Sequence, residues 1–134
     1  MGEKVAADIA SGKISHVIAL SGDLGSGKTT FVQGVARGLG IKGRIISPTF
    51  ILMRRYPVQK AKNETHNLYH VDLYRLEGSI DQEILNLGLP YVWSEPTNIV
   101  VIEWAEKIEK LIPAGAFWIK FEQLEGNKRK IFIA

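Results

Sequence analysis

Apolar positions recur along the chain with two periods, helical and alternating, and their succession lays out the expected elements. Val5, Ala6, Ile9 and Ala10 fall on one face at helical spacing before Gly12, so residues around 3–11 predict a short amphipathic helix. His16 to Ser21 carries a continuous aliphatic run and predicts a buried strand. Beyond a glycine-rich turn, Phe31, Val32, Val35 and Leu39 mark a second helix that closes at Gly38-Leu39-Gly40. Phe50 to Tyr56 and Asn67 to Tyr74 are rich in aromatic and branched residues and predict an antiparallel hairpin, with Pro57 to His66 as a long, mobile connecting loop.

Ser79-Ile80-Asp81-Gln82 has the form of a capping box, opening a helix that carries Ile80, Ile84 and Leu85 and ends near Gly88. A polar connection then leads to a strand over Ile99 to Glu103. Trp104, Ala105, Ile108 and Leu111 predict a helix that Pro113 ends, and Phe117, Ile119 and Phe121 alternate with Trp118, Lys120 and Glu122 as a strand requires. Glu125 to Lys128 forms a turn into a last strand, Lys130 to Ala134. With no repeat or linker, residues 1–134 read as a single α/β domain: a mixed central sheet flanked by helices, with an antiparallel hairpin insertion.

Composition narrows the chemistry. At 46% hydrophobic and 23% charged residues the chain can bury one core, which excludes a disordered or collagen-like polymer. Absence of cysteine excludes disulfides, thiolate metal sites and cysteine nucleophiles, in keeping with a cytoplasmic location. Runs such as Ile99 to Ile102 are far shorter than the roughly 20 residues of a membrane-spanning helix, and no secretory signal is visible, so no membrane association is expected. The net charge of +3 permits an acidic partner such as RNA without establishing one.

The glycine-rich turn is the sharpest signal. Gly22-Asp23-Leu24-Gly25-Ser26-Gly27-Lys28-Thr29 matches the phosphate-loop pattern in full, with the required strand before it and helix after it. Glycines let main-chain N–H groups close on phosphate oxygens, and the helix N-terminus adds its positive end. Lys28 can reach the β- and γ-phosphates, the Thr29 hydroxyl can ligate Mg²⁺, and Thr30 is a further donor. The competing reading is a glycine-rich turn with an exposed lysine.

Such a site needs an acid at the end of another strand. Glu103 ends the apolar run Ile99 to Ile102, though a surface glutamate at a strand end would look the same. Asp72 is the rival: alternation places it on one face with His70, where it could bind the metal through water or orient the attacking water. His70 could position Asp72 or bind phosphate, and the alternative is an edge-strand face turned to solvent. In Ser47-Pro48-Thr49-Phe50 a proline-fixed turn could present the Thr49 hydroxyl to the γ-phosphate or Mg²⁺, although an ordinary solvated turn accounts for the same residues.

Four motifs in order, the extended phosphate loop Gly22 to Phe31, then Ser47 to Phe50, His70-Val71-Asp72-Leu73-Tyr74-Arg75, and Ile102-Glu103-Trp104-Ala105-Glu106, resemble the TsaE (YjeE) family of P-loop ATPases of bacterial tRNA threonylcarbamoyladenosine biosynthesis. The resemblance runs from about Ile14 to Ile112 and less distinctly to the end. It implies a single P-loop NTPase domain binding ATP or ADP, with Gly25, Ser26, Gly27, Lys28, Thr29 and Thr30 around the phosphates. Thr29 and Glu103 are implied as Mg²⁺ ligands, and Lys28, Thr49, Asp72 and Glu103 as the hydrolytic set. It further implies an ATPase, weak alone, that joins TsaD and TsaB, which modify adenosine 37 of tRNAs reading codons that begin with A; tRNA itself would be met indirectly.

Three departures from the family pattern stand out: a short N-terminal segment, Ser26 where alanine is commoner, and a last turn, Gly126-Asn127-Lys128-Arg129, that resembles the family's only loosely. Arg129 is a candidate there for an extra nucleotide contact, and a solvated basic turn accounts for the same residues. Two other functions use the same loop: a small-molecule kinase, which needs an acceptor pocket and an arginine-bearing lid, and a nucleotide-gated binding module with little turnover. Guanine recognition generally uses Asn-Lys-x-Asp, whereas Asn127-Lys128-Arg129 is followed by Lys130, so adenine is preferred by elimination.

Overall fold

The computed structural model of the chain describes residues 2–22, 27–42, 45, 52–61, 64–126 and 129–133. Within these, the elements are α1 (Gly2–Ala10), β1 (Val17–Gly22), α2 (Lys28–Gly38), β2 (Met53–Ala61), β3 (Glu64–Asp72), α3 (Asp81–Leu87), α4 (Leu89–Ser94), β4 (Asn98–Glu103), a 3-10 turn (Ala105–Ile108), β5 (Phe117–Gln123) and β6 (Arg129–Ile133). The strands form one six-stranded sheet in the order β2-β3-β4-β1-β5-β6. β3, β4, β1 and β5 run parallel, while β2 and β6 close the two edges antiparallel. This is the mixed α/β sheet with its antiparallel hairpin that the pattern of apolar residues predicts.

Helices cover both faces. Ile18 and Leu20 of β1, Val101 of β4, Leu68 of β3 and Ile119 and Phe121 of β5 pack with Val5, Phe31, Val32 and Val35 of α1 and α2. On the other face Val17, Ala19, Val71, Val100 and Ile102 meet Ile84, Leu89 and Trp93 of α3 and α4 together with Ala105 and Ile108. Strands buried on both faces read as unbroken aliphatic runs, which is why β1 and β4 stand out in the sequence. The helices α1 and α2 touch through glycine: a Cβ on Gly38 would sit 2.6 Å from that of Ala6.

Four expectations need correcting. Residues 57–66 are not a long loop, because β2 continues to Ala61 and β3 begins at Glu64, with Pro57 paired to Asn67. β2 lies at the sheet edge, where a residue lacking an N–H is tolerated. The capping box does not form: Ile80, not Ser79, is the N-cap of α3 and makes no side-chain cap bond, while Gln82 Nε2 donates to Asn86 Oδ1 at 2.9 Å. Part of the expected polar connection is α4, whose Pro90 occupies the first turn and whose Leu89 and Trp93 are buried. Finally, the helix expected after Trp104 is only the 3-10 turn, since the chain must turn at once from the end of β4 back beneath the sheet.

Leu20, fully buried in the α1/α2 cluster, and Tyr91, 86% exposed on α4, should respond oppositely to truncation. Leu20→Ala is expected to cost about 2–5 kcal/mol of stability in urea denaturation. Tyr91→Ala should change it by less than about 0.5 kcal/mol; equal effects would contradict this assignment of the core.

Candidate functional site

Parallel pairing brings three strand ends to one edge of the sheet. Asp72 pairs with Glu103, Glu103 with Leu20, and two residues beyond Leu20 the chain reaches Gly22. The alternation that sends Leu68, Val101 and Leu20 into the α1/α2 cluster puts His70, Asp72 and Glu103 on that same side, the side on which α2 begins. An open cavity of about 510 Å³ lined by Ser21, Trp118, Lys120 and Phe132 lies on the opposite side and takes no part in this grouping.

Gly22 has φ 129 and packs so closely on the Phe121 backbone that no side chain could stand there. Gly27, at φ 104, is the N-cap of α2, and Phe31 N–H donates to its carbonyl at 3.0 Å. The first amides of α2, on Lys28, Thr29 and Thr30, lack partners within the helix and so offer donors at its positive end. Thr29 and Thr30 are exposed, whereas Lys28 is buried. Its ammonium donates to Gly22 O at 2.6 Å and lies 3.7 Å from the centroid of the Trp104 ring.

Both carboxylates face the α2 side, but in different settings. Glu103 is 3% exposed and His70 fully buried, with Nε2 of the imidazole 2.5 Å from Oε2 of the carboxylate. An ionised carboxylate can only accept, so against the Glu103 carboxylate Nε2 is the donor of this bond. Nδ1 of His70 has no hydrogen-bond partner among the described residues. Glu103 is therefore not a surface glutamate, and β3 is not an edge strand. His70 holds Glu103 rather than Asp72, correcting the pairing expected from alternation alone. Asp72 is half-buried, and its Oδ1 accepts the Tyr74 N–H at 3.0 Å.

Three residues that the sequence reading left outside the site, Trp104, Glu106 and Lys107, complete the arrangement. Trp104 has φ 62, the sole left-handed non-glycine backbone among the described residues, a conformation that costs an L-residue about 1–2 kcal/mol. That turn sets its ring between Lys28 and Tyr74, whose ring centroid is 5.3 Å away. Glu106 Oε2 accepts the Gly22 N–H at 3.2 Å, and Lys107 Nζ donates to the carbonyls of Leu73, Tyr74 and Leu76. Only their place directly after Glu103 could have flagged them in the sequence.

Gly25, Ser26 and Thr49 lie outside the described residues, as does the whole of Ser47 to Phe50. Arg129 opens β6 opposite Gln123, at the edge of the sheet to which β1 also points; its side chain lies outside the described part. No group of three or more His, Asp or Glu that could hold a metal occurs among the described residues. Thr29, exposed at the start of α2, and Glu103, a buried strand-end carboxylate, are oxygen donors of the kind a hard cation such as Mg²⁺ takes.

The model of the family described as Threonylcarbamoyl adenosine biosynthesis protein TsaE matches residues 1–131. The chain belongs to the TsaE family. A tRNA threonylcarbamoyladenosine biosynthesis protein TsaE from Nostoc sp. is 47% identical over 95 residues, covering 69% of this chain and 54% of the relative. The protein of that name from Bacillus subtilis is 36% identical over 119 residues, covering 89% of this chain and 69% of the relative. The crystal structure of Bacillus subtilis YdiB superposes with a TM-score of 0.64 at 30% identity, covering 98% of this chain and 76% of that one. The chain spans 54%, 64% and 59% of the length of the relatives from Nostoc, Streptomyces coelicolor and Synechocystis. No helix among the described residues is long and apolar enough to cross a membrane.

The buried pair yields a stability prediction. His70→Leu leaves the Glu103 carboxylate buried without its donor and is expected to cost about 2–3 kcal/mol in urea denaturation. Adding Glu103→Leu should restore most of it, because both polar groups are then gone; a double variant no more stable than His70→Leu alone would argue against the pair.

Proposed function

We propose that the chain is a Mg²⁺-dependent P-loop ATPase that acts in the cytoplasm on a TsaD–TsaB complex in threonylcarbamoyladenosine modification of tRNAs reading codons that begin with A. The observation that carries this reading is the placing of Lys28, at the start of α2, against the end of β1, with the buried carboxylate of Glu103 on the neighbouring strand. Family membership supports the process, and the matching of the full phosphate-loop pattern supports the nucleotide.

In this reading the amides of Gly25 to Thr30 and the start of α2 receive the phosphates, and Lys28 leaves the Gly22 carbonyl to neutralise β- and γ-oxygens. Thr29 and Glu103 hold the metal, with His70 orienting Glu103 through Oε2 so that the other carboxylate oxygen stays available. Bound Mg²⁺ supplies charge neutralisation and alignment of the phosphates. Asp72 and Thr49 orient the attacking water, and Arg129 adds a contact to the nucleotide. Adenine is preferred because the guanine-reading element is absent from the sequence. A partner surface contributes the further positive charge that the transferring γ-phosphoryl needs, and tRNA is met through the partners.

Calorimetric titration with a non-hydrolysable ATP analogue tests the binding half. Lys28→Ala should weaken binding at least about tenfold with the fold intact, and Glu103→Gln should weaken binding in Mg²⁺ more than in chelator, since the amide keeps the shape and loses the charge. Unchanged affinity in folded Lys28→Ala would remove the phosphate-loop reading.

Phosphate release tests the second half. Turnover should be slow for the isolated chain and rise with TsaD and TsaB, whose affinity should differ between the ATP and ADP states. Full turnover alone, with docking indifferent to nucleotide, would refute the partner role; phosphate transfer to a nucleoside or sugar would point to a kinase.

A further inference from the structure

We infer that Lys107 is a positioning residue for Asp72, acting through a single peptide group. Its ammonium donates to Leu73 O at 3.1 Å, Tyr74 O at 2.9 Å and Leu76 O at 2.6 Å, which engages all three of its protons. These carbonyls belong to the turn that follows β3, closed by Leu76 N–H donating to Leu73 O at 3.1 Å. The peptide joining Leu73 to Tyr74 is the link. Its carbonyl accepts from Lys107, and its N–H, on Tyr74, donates to Asp72 Oδ1 at 3.0 Å.

A cation on the carbonyl of a peptide strengthens the N–H of that same peptide as a donor, and it also fixes the plane in which the N–H points. Lys107 thus sets both the direction and the strength of the bond that orients the Asp72 carboxylate. The lysine is itself held, because it follows Glu103 by four residues in the 3-10 turn, with its N–H donating to Trp104 O at 3.1 Å. Leu73 N–H donates to Glu103 O at 3.2 Å, so the two acid-bearing strand ends are tied at the main chain as well. One lysine therefore locks the position of one carboxylate to the segment that carries the other.

This inference rests on the proposed role of Asp72 in hydrolysis, and the experiment separates the two. Lys107→Met keeps the length of the side chain and removes the donors. With TsaD and TsaB present, its phosphate release is expected to fall about tenfold while affinity for the Mg²⁺-bound ATP analogue stays within about twofold. Amide hydrogen exchange at Tyr74 should speed up about tenfold, a reading that needs no nucleotide. Lys107→Arg, which keeps charge and donors, should recover most of both, and in an Asp72→Asn background Lys107→Met should add less than about a twofold further loss.

Wild-type turnover in Lys107→Met, unchanged Tyr74 exchange, or a full additional loss on top of Asp72→Asn would each overturn the inference. Should Lys107→Met not fold, Lys107→Gln carries the same three comparisons. If Asp72→Asn itself leaves phosphate release intact, the hydrolytic role of Asp72 fails, while the exchange at Tyr74 still decides whether Lys107 holds the peptide.

Discussion

Parallel pairing of strands buried on both faces is the constraint from which the rest of the molecule follows. β1 and β4 have no solvent-facing side, so a polar group of theirs can be accommodated only at a strand end or in a bonded pair. Because β3, β4 and β1 run the same way, their carboxyl ends coincide, and Asp72, Glu103 and the approach to Gly22 gather along one edge. The crevice at such an edge is where open α/β sheets place ligands, since loops and helix N-termini converge there while the core stays dry.

Five consecutive residues, Glu103 to Lys107, connect the parts around that edge. Glu103 meets His70 on β3, Trp104 lies under Lys28 of α2, Glu106 holds the amide of Gly22, and Lys107 gathers the carbonyls of the turn after β3. The left-handed backbone at Trp104 makes this possible, because it reverses the chain within one residue and lets neighbouring side chains reach opposite partners. Strain of this kind persists only where surrounding contacts hold it, as those to His70, Lys28, Gly22 and the turn after β3 do on either side of Trp104. A helix continuing regularly from β4 would have spread these side chains around its axis.

Much of this was legible in the chain. Unbroken aliphatic runs announced β1 and β4, the phosphate-loop pattern announced the turn into α2, and Glu103 stood out as a carboxylate ending an apolar strand. The hairpin was legible in its outer parts only, because Pro57 and the polar residues after it look like loop unless the strand is known to be an edge. Likewise Leu89 to Ser94 is too short to display a helical period, and its helix exists because Leu89 and Trp93 find a surface on the sheet.

The site divides along the same line. Which residue types supply phosphate donors and carboxylates is a matter of local pattern, since a glycine-rich turn between strand and helix and an acid at a strand end each depend on a few adjacent positions. Which partner each side chain takes depends on sheet order. His70 and Asp72 share a face by alternation, yet the imidazole turns to Glu103 because β4 lies beside β3, thirty-three residues later in the chain. Lys107 looks like any solvated lysine until the turn after β3 folds beneath it. The sequence by itself determined the elements and the kinds of chemistry they carry, because these follow from short-range periodicity and motif. The pairings that aim that chemistry were decided by tertiary structure, because they are contacts between segments far apart in sequence, whose meeting only strand order and burial specify.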